Sequence, residues 1–161
     1  HTIDQYLQII EELRMARSYI SISSDFIVGF PGESDKDFQE TLNLVEKVGF
    51  DESYSFIYSP RPNTTAKDLK DDVSLAEKKK RLDLLQTALK KSSFRISRRM
   101  VGNIEKCLIT GISKKDPGEL QARTENNRVV NFNSKGKDLV GQFINLEIVD
   151  IMPNSLRGVM A

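Results

Sequence analysis

The spacing of the apolar residues changes near residue 100, and this change most limits what the chain can fold into. Before it, apolar residues at helical spacing alternate with short apolar runs that end at glycine or proline. After it, five short apolar segments are separated by glycines and by Pro153 and Asn154. The first pattern is typical of parallel α/β architecture and the second of a small all-β barrel, so we expect both in one chain.

The first part has the order helix, strand, helix, strand. Thr2 begins a capping box for a helix that runs to about Arg17. The apolar run 26–28 predicts a buried parallel strand, and Ser34 caps a second helix that precedes the alternating residues 53–58. These βα units indicate part of a parallel barrel or of an open sheet. Two strands do not make a stable sheet alone, so we expect part of this fold to be missing.

A long helix predicted over about 74–100 joins the two parts and concentrates positive charge. Residues 1–72 carry 7 Lys and Arg against 14 Asp and Glu, a net −7, whereas residues 73–100 carry 9 against 2, a net +7. Residues 101–161 carry 8 against 7, a net +1. The cations of the helix are either simply solvated or form a stripe that follows the phosphates of a nucleic acid.

The second part is expected to be a small antiparallel barrel of the OB-like kind. Its predicted strands cover 103–110, 119–124, 128–132, 142–151 and 156–161. The resulting division of the chain is an α/β part over 1–72, a basic linker helix over 73–100 and a β-barrel over 101–161.

Cys107 is the only cysteine, and it lies in an apolar stretch that suits a buried strand position. A disulfide framework and a cysteine-ligated metal cluster within one chain are therefore excluded. We expect a cytoplasmic protein. No apolar run approaches the roughly 20 residues of a membrane helix, so no membrane partner is expected.

The stretch 23–33, SSDFIVGFPGE, carries the strongest chemical signal. It predicts a strand that delivers a glycine turn at its carboxyl end, where α/β folds bind their ligands. Gly29 and Gly32 would allow the backbone to approach a ligand closely. A tight turn between strand and helix that binds no ligand would have the same pattern.

This stretch resembles the strand-and-turn segment of radical S-adenosylmethionine (SAM) enzymes of the methylthiotransferase group. Residues 58–66, YSPRPNTTA, resemble a second signature of that group, with Asn63 where glycine is usual. Asn also accepts left-handed turn geometry. Residues 113–118 with 123–132, and residues 153–158, are similar to the TRAM domain of the tRNA-modifying members. The matches span nearly the whole chain in the expected order.

The resemblance implies an enzyme that cleaves SAM at one [4Fe-4S] cluster to give a deoxyadenosyl radical and takes sulfur from a second [4Fe-4S] cluster. Its product would carry a methylthio group on carbon 2 of an isopentenylated adenosine, and its partners would be a tRNA anticodon stem–loop and an electron donor. The family's cluster ligands are three N-terminal cysteines and a CxxxCxxC loop, and neither set occurs here. We therefore expect a C-terminal segment that is inactive alone and binds none of these cofactors.

The resemblance also implies candidates for the SAM pocket, namely Ser24, Asp25, Gly29, Glu33 and Arg61. A polar residue at a strand end holds a ribose hydroxyl or an amino group, and glycine lets adenine approach. The guanidinium of Arg61 suits the SAM carboxylate or a substrate phosphate. Alternatively, Asp25 only caps a turn and Arg61 only closes a surface ion pair.

Donors for RNA are concentrated in loops and strand ends of the predicted barrel. Asn side chains read base edges, whereas Lys and Arg anchor phosphates. Asn126 and Asn127 would equally make a hairpin turn. Phe132 and Phe143 are assigned to the core, so few aromatic rings remain for stacking and we expect recognition of shape and backbone more than of sequence. The RNA-binding candidates are Lys114, Lys115, Arg123, Asn126, Asn127, Arg128 and Arg157.

Other functions stay open at this point. A sister enzyme that methylthiolates a ribosomal protein, a relative acting on threonylcarbamoyl-adenosine, and a freestanding RNA-binding module would share much of this sequence. Residues 126–128 and the basic helix favour tRNA. The incomplete sheet argues against the freestanding module, and its open edge predicts dimerisation of the segment.

Overall fold

The structure, a computed structural model, describes residues 2–161. It forms two compact units, His1–Phe94 and Arg95–Ala161. The helices are α1 (Ile3–Ala16), α2 (Asp35–Val48) and α3 (Leu75–Met100), with a short 3-10 helix over Thr65–Asp68. The strands are β1 (Asp25–Val28), β2 (Tyr54–Ile57), β3 (Ile104–Ile112), β4 (Leu120–Arg123), β5 (Val129–Phe132), β6 (Phe143–Met152) and β7 (Ser155–Met160).

The first unit is built on β1 and β2, which pair in parallel. α1 and α2 begin at capping boxes formed by Thr2 and Ser34, as predicted, and α2 ends where Gly49 takes a left-handed φ of 64°. One face of the sheet packs against all three helices. That this sheet belongs to a larger parallel barrel stays a prediction. The core comprises Ile10, Phe26, Val28, Phe38, Val45, Val48, Phe50, Leu85 and Leu89.

The opposite face of the β1–β2 sheet is open. It carries Asp25 beside Tyr54 and Ile27 beside Phe56, and Ile27 and Phe56 are 56% and 52% exposed. The prediction of a fully buried strand is therefore wrong at Ile27. A parallel strand is buried on both faces only when a second layer covers it, and no described element of the first unit does so.

A buried arginine of α3 holds the turn between β1 and α2, residues 29–34. Arg81 is 4% exposed, and its guanidinium donates to the Glu33 carboxylate at 2.7 Å, the Glu33 carbonyl at 2.9 Å and the Asp35 carboxylate at 2.8 Å. The same Glu33 oxygen accepts from the Gly29 N–H at 2.7 Å. Burial alone would lower the pKa of Arg81, but the bonds with Glu33 and Asp35 raise it above its ordinary value.

A buried lysine of α3 lies against the same turn. Lys78 is 4% exposed, and its ammonium donates to both carboxylate oxygens of Asp71 at 2.7 Å and lies 5.4 Å from the centre of the Tyr58 ring. A Cβ on Gly29 would stand 2.3 Å from Lys78 Cγ. The space left by the missing side chain of Gly29 is thus filled by Lys78.

The second unit is a closed barrel with the strand order β3-β4-β5-β7-β6. All neighbouring strands are antiparallel except β5 and β7, which pair in parallel through Val130 and Leu156. The prediction of a small OB-like barrel is confirmed, and its antiparallel pairing holds for every neighbouring pair except this one. Five strands in a closed ring cannot alternate direction at every step, so one pair has to be parallel.

α3 is part of both cores. It gives Leu85 and Leu89 to the first core and Met100 to the second, and the boundary between the units falls inside it, after Phe94. The sequence division into 1–72, 73–100 and 101–161 treated this helix as a separate linker. Its buried apolar face explains the difference. No helix in the described part of the chain is long and apolar enough to cross a membrane.

The side chain of Cys107 is fully buried in the barrel core, as predicted. Burial, followed by the nearby charge of Glu105, raises the pKa of its thiol to about 11. The reactive thiolate is therefore scarce near neutral pH.

We predict that Gly29→Ala lowers the free energy of unfolding by about 2–4 kcal/mol, since the new methyl group combines a left-handed φ with a collision against a pinned side chain. Gly29 has a φ of +71°. Urea denaturation of the 161-residue chain, followed by circular dichroism, measures the loss.

Gly32→Ala is the matched control for that prediction. Gly32 has a similar φ of +82° but nothing within 4 Å of its Cβ position. Only the backbone penalty of about 1–2 kcal/mol then applies. Equal losses in the two variants would contradict the packing of Lys78 on Gly29.

We predict that Cys107 resists alkylation by iodoacetamide at pH 7.5 in the folded chain and reacts at the normal rate in denaturant. Its thiol is both inaccessible and protonated at this pH, because its pKa of about 11 lies far above it. Mass spectrometry over time measures the modified fraction. Rapid labelling without denaturant would contradict the closed barrel.

Candidate nucleic-acid interface

The strands β4, β5 and β7 present polar side chains on the outside of the barrel. The side chains of Ala122, Val130 and Leu156 point into the barrel and are at most 1% exposed. The residues next to them along each strand therefore face outward. Paired residues of neighbouring strands share a face. Gln121 is paired with Asn131, and Asn131 is paired with Arg157, so one polar row crosses these strands.

An open groove of about 210 Å³ lies on this outer surface. Lys114, Lys115 and Arg123, all predicted to bind RNA, supply its charge, and none of the described lining residues is a carboxylate. Such a groove attracts an anion, and its polar rim offers hydrogen bonds. The lining residues are Ser113, Lys114, Lys115, Gln121, Arg123, Val129, Asn131, Asn154 and Ser155.

The turn between β4 and β5 positions Arg123. The Arg123 guanidinium donates from Nη1 to the carbonyl and to Oδ1 of Asn127, at 2.8 and 2.9 Å. Asn127 takes a φ of 65° and donates its N–H to the Thr124 carbonyl at 2.9 Å, which closes the turn. Asn127 therefore makes the hairpin turn that was the alternative to RNA binding, and it also orients Arg123 at the groove.

Three further RNA-binding candidates lie outside the groove and are buried or bonded to other residues of the barrel. Asn126 Oδ1 accepts from the Thr124 hydroxyl at 2.5 Å, and Asn126 Nδ2 lies 3.6 Å from the Met100 sulfur. Arg128 is 4% exposed. Arg157 is partly exposed, and its guanidinium donates to the Glu119 carboxylate at 2.6 Å. The structure therefore brings Lys114, Lys115 and Arg123 together but not the whole predicted set.

Sequence reasoning missed the groove residues Gln121 and Asn131. Each stands two positions from another outward-facing residue of its strand, Arg123 and Val129. The period-2 alternation of a strand was the signal that would have found them. Asn154 and Ser155 lie in the noted 153–158 motif, from which only the arginine was selected.

The two barrel phenylalanines differ from each other. Phe132 is fully buried, which confirms its assignment to the core. Phe143 is 63% exposed, so its assignment to the core is wrong. The alternation along β6 sends Leu146 and Ile148 inward, and the same alternation turns Phe143 outward.

The five candidates for the SAM pocket lie near the β1–β2 sheet and the segment after it. Asp25 stands on the open face and Arg61 is exposed, while Ser24 donates its N–H to the Ser53 hydroxyl at 3.1 Å. Gly29 and Glu33 are bonded to each other within the Arg81-held turn. Their roles toward SAM stay predictions.

Two further sequence features are the turn residue Asn63 and the side chains that could ligate a metal. Asn63 takes a φ of 64°, the left-handed geometry that was predicted for it. In the described residues, no group of three or more His, Cys, Asp or Glu side chains comes together as metal ligands would.

Residues 98–161 match the TRAM domain family. The whole chain is similar to proteins named tRNA-2-methylthio-N(6)-dimethylallyladenosine synthase. It is 53% identical to the one from Chromohalobacter salexigens, and the match spans 100% of this chain and 36% of that protein. It is 54% identical to the one from Hahella chejuensis, over 98% of this chain and 35% of that protein. It is 58% identical to the one from Pseudomonas savastanoi pv. phaseolicola, over 98% and 36%.

The chain spans about a third of the length of these curated relatives. The comparisons thereby confirm the resemblance: over its whole length the chain is similar to proteins named tRNA-2-methylthio-N(6)-dimethylallyladenosine synthase, and its residues 98–161 match the TRAM domain family.

Proposed function

We propose that this chain is the C-terminal segment of a radical SAM tRNA methylthiotransferase. The whole enzyme would add a methylthio group to carbon 2 of an isopentenylated adenosine beside the tRNA anticodon. The observation that carries the proposal is 53–58% identity along the whole chain to synthases of which it covers 35–36%. The protein would act in the cytoplasm.

The barrel would hold the tRNA anticodon stem–loop. Its groove gathers three cations on a surface whose described lining lacks carboxylates, and phosphate contacts supply most of the non-specific affinity for nucleic acid. Arg123 enters this role already oriented by Asn127, so less side-chain entropy is lost on binding.

The α/β unit would form one wall of the SAM pocket within a larger parallel barrel. Its open sheet face combines apolar rings with the Asp25 carboxylate, and this set fits a nucleoside because bases pack on apolar surface while a carboxylate accepts from a ribose hydroxyl. Ser24 and Arg61 would add polar contacts, and Glu33 with Gly29 would fix the adjoining turn.

When bound, SAM and the two [4Fe-4S] clusters would supply the radical, the methyl group and the sulfur. The cluster ligands would come from outside residues 1–161, and reduction would require an electron donor. In the isolated chain, a second copy would pair with the open edge of the β1–β2 sheet, and the resulting dimer would be detected by sedimentation velocity.

The activity is tested with the full-length protein, reconstituted with iron and sulfide under reducing anaerobic conditions. We expect a methylthio group on isopentenylated adenosine, detected by mass spectrometry of tRNA nucleosides. The 161-residue chain alone yields no product. Modification of threonylcarbamoyl-adenosine or of a ribosomal protein instead would overturn the proposed substrate.

RNA binding is tested on the 161-residue chain with Arg123→Gln. We expect weaker binding of an anticodon stem–loop hairpin and a slope of log affinity against log salt that falls by about 1, because one phosphate contact is lost. Fluorescence anisotropy at several salt concentrations measures both.

Lys137→Gln is the charge-matched control for this variant. Lys137 is an exposed cation of the barrel outside the groove. It should leave the slope unchanged. If both variants lose affinity equally, the groove is not the RNA-binding surface.

A further inference from the structure

We infer that Phe143 is a stacking platform for an unpaired base of the bound RNA and that Lys106 pairs with the neighbouring phosphate. This inference rests on the proposed RNA binding by the barrel and extends it from the groove across two more strands. The juxtaposition that carries it is an exposed ring with an ammonium against it, in register with Arg123.

The strand register places Phe143 and the groove in one row. Phe143 of β6 is paired with Leu108 of β3, Leu108 is paired with Arg123 of β4, and Arg123 is paired with Val129 of β5. Paired residues point to the same side of a sheet, and the buried Cys107 and its neighbours on the other side fix that side as the exterior. Phe143 therefore lies two strands, about 10 Å, from Arg123.

The ring of Phe143 is open to a ligand. It remains 63% exposed, although the Lys106 ammonium lies 5.2 Å from its centre. Phenylalanine gains little from such a position in the free chain, because exposed apolar area contributes no burial energy. A base stacked on the ring would recover that energy and would place its phosphates within reach of the ammonium.

Charge distinguishes this row from another row of the barrel exterior that also carries exposed apolar side chains. There, Ile104 of β3 is paired with Glu147 of β6, which is paired with Val159 of β7. The Glu147 carboxylate would repel a phosphate backbone. The row of Phe143 instead includes Arg123, and Lys106, two residues before Leu108 on β3, lies against the Phe143 ring, so the path from the groove to Phe143 is complementary to a polyanion.

The choice of ligand follows from both groups together. An aromatic face beside a cation accepts any base, because every base has a π-face, and this mode of binding needs an unpaired base that can leave its stack. We therefore assign the platform to a loop nucleotide rather than to the paired stem.

The test uses Phe143→Leu and Phe143→Tyr in the 161-residue chain, with anticodon stem–loop hairpins that carry 2-aminopurine at single loop positions. Leucine keeps an apolar side chain but removes the π-face, whereas tyrosine keeps the π-face. Since stacking of one base is worth about 1–3 kcal/mol, Phe143→Leu should weaken binding by about 5- to 150-fold without changing the salt slope. Phe143→Tyr should bind like the unchanged chain.

Further readouts separate stacking from a loss of structure. One 2-aminopurine position should be quenched by the unchanged chain and by Phe143→Tyr but not by Phe143→Leu, while all three show the same urea midpoint. Lys106→Gln should reduce the salt slope by about 1.

The outcomes also separate this inference from the proposed RNA binding. If Phe143→Leu binds like the unchanged chain while Arg123→Gln weakens binding, the platform is overturned and the groove remains. If the unchanged chain binds no hairpin at all, both are overturned.

Discussion

The structure of the first unit depends on two full positive charges that α3 places out of reach of water. Arg81 and Lys78 are each 4% exposed, so each must find carboxylates inside the protein. Arg81 finds Glu33 and Asp35, and Lys78 finds Asp71. Among these pairs, Arg81 and Glu33 are both largely buried, and removing one partner of such a pair typically costs about 3–5 kcal/mol, because the other charge is left uncompensated. The turn after β1 and the loop before α3 are therefore fixed by the same helix.

Local sequence signals predicted the helices and strands of this chain. The roles of individual charged side chains depend instead on contacts with residues far away in the sequence. Capping boxes, C-terminal glycines and the glycines between strands are local signals that involve residues a few positions apart. The predicted bounds of the helices and of the barrel strands are therefore close to the observed ones. From the sequence, the cations of the basic helix were interpreted as either solvated or phosphate-binding. In the structure Lys79 and Lys80 are exposed, while Lys78 and Arg81, three positions apart on one face, meet carboxylates from elsewhere in the chain. That distinction requires the tertiary fold.

The candidate RNA interface was predicted by residue type, and for that reason only in part. Lys114, Lys115 and Arg123 line the groove, but the turn that follows β4 uses Asn126 and Asn127 for its own hydrogen bonds. Turn chemistry and base recognition draw on the same amide groups, so composition cannot separate them. The alternation within strands does separate inside from outside, and it would have placed Phe143 on the exterior.

The odd strand number of the barrel links its closure to the groove. Because five strands must include one parallel pair, β7 lies beside β5 and runs in the same direction. Val130 is then paired with Leu156, which brings Ser155 and the turn before it against the surface that β4 and β5 have already made. An even, fully antiparallel ring would not require this parallel pairing of β7 with β5. The groove is thus a consequence of how the ring closes, and its cations are added to a shape that backbone hydrogen bonds already fix.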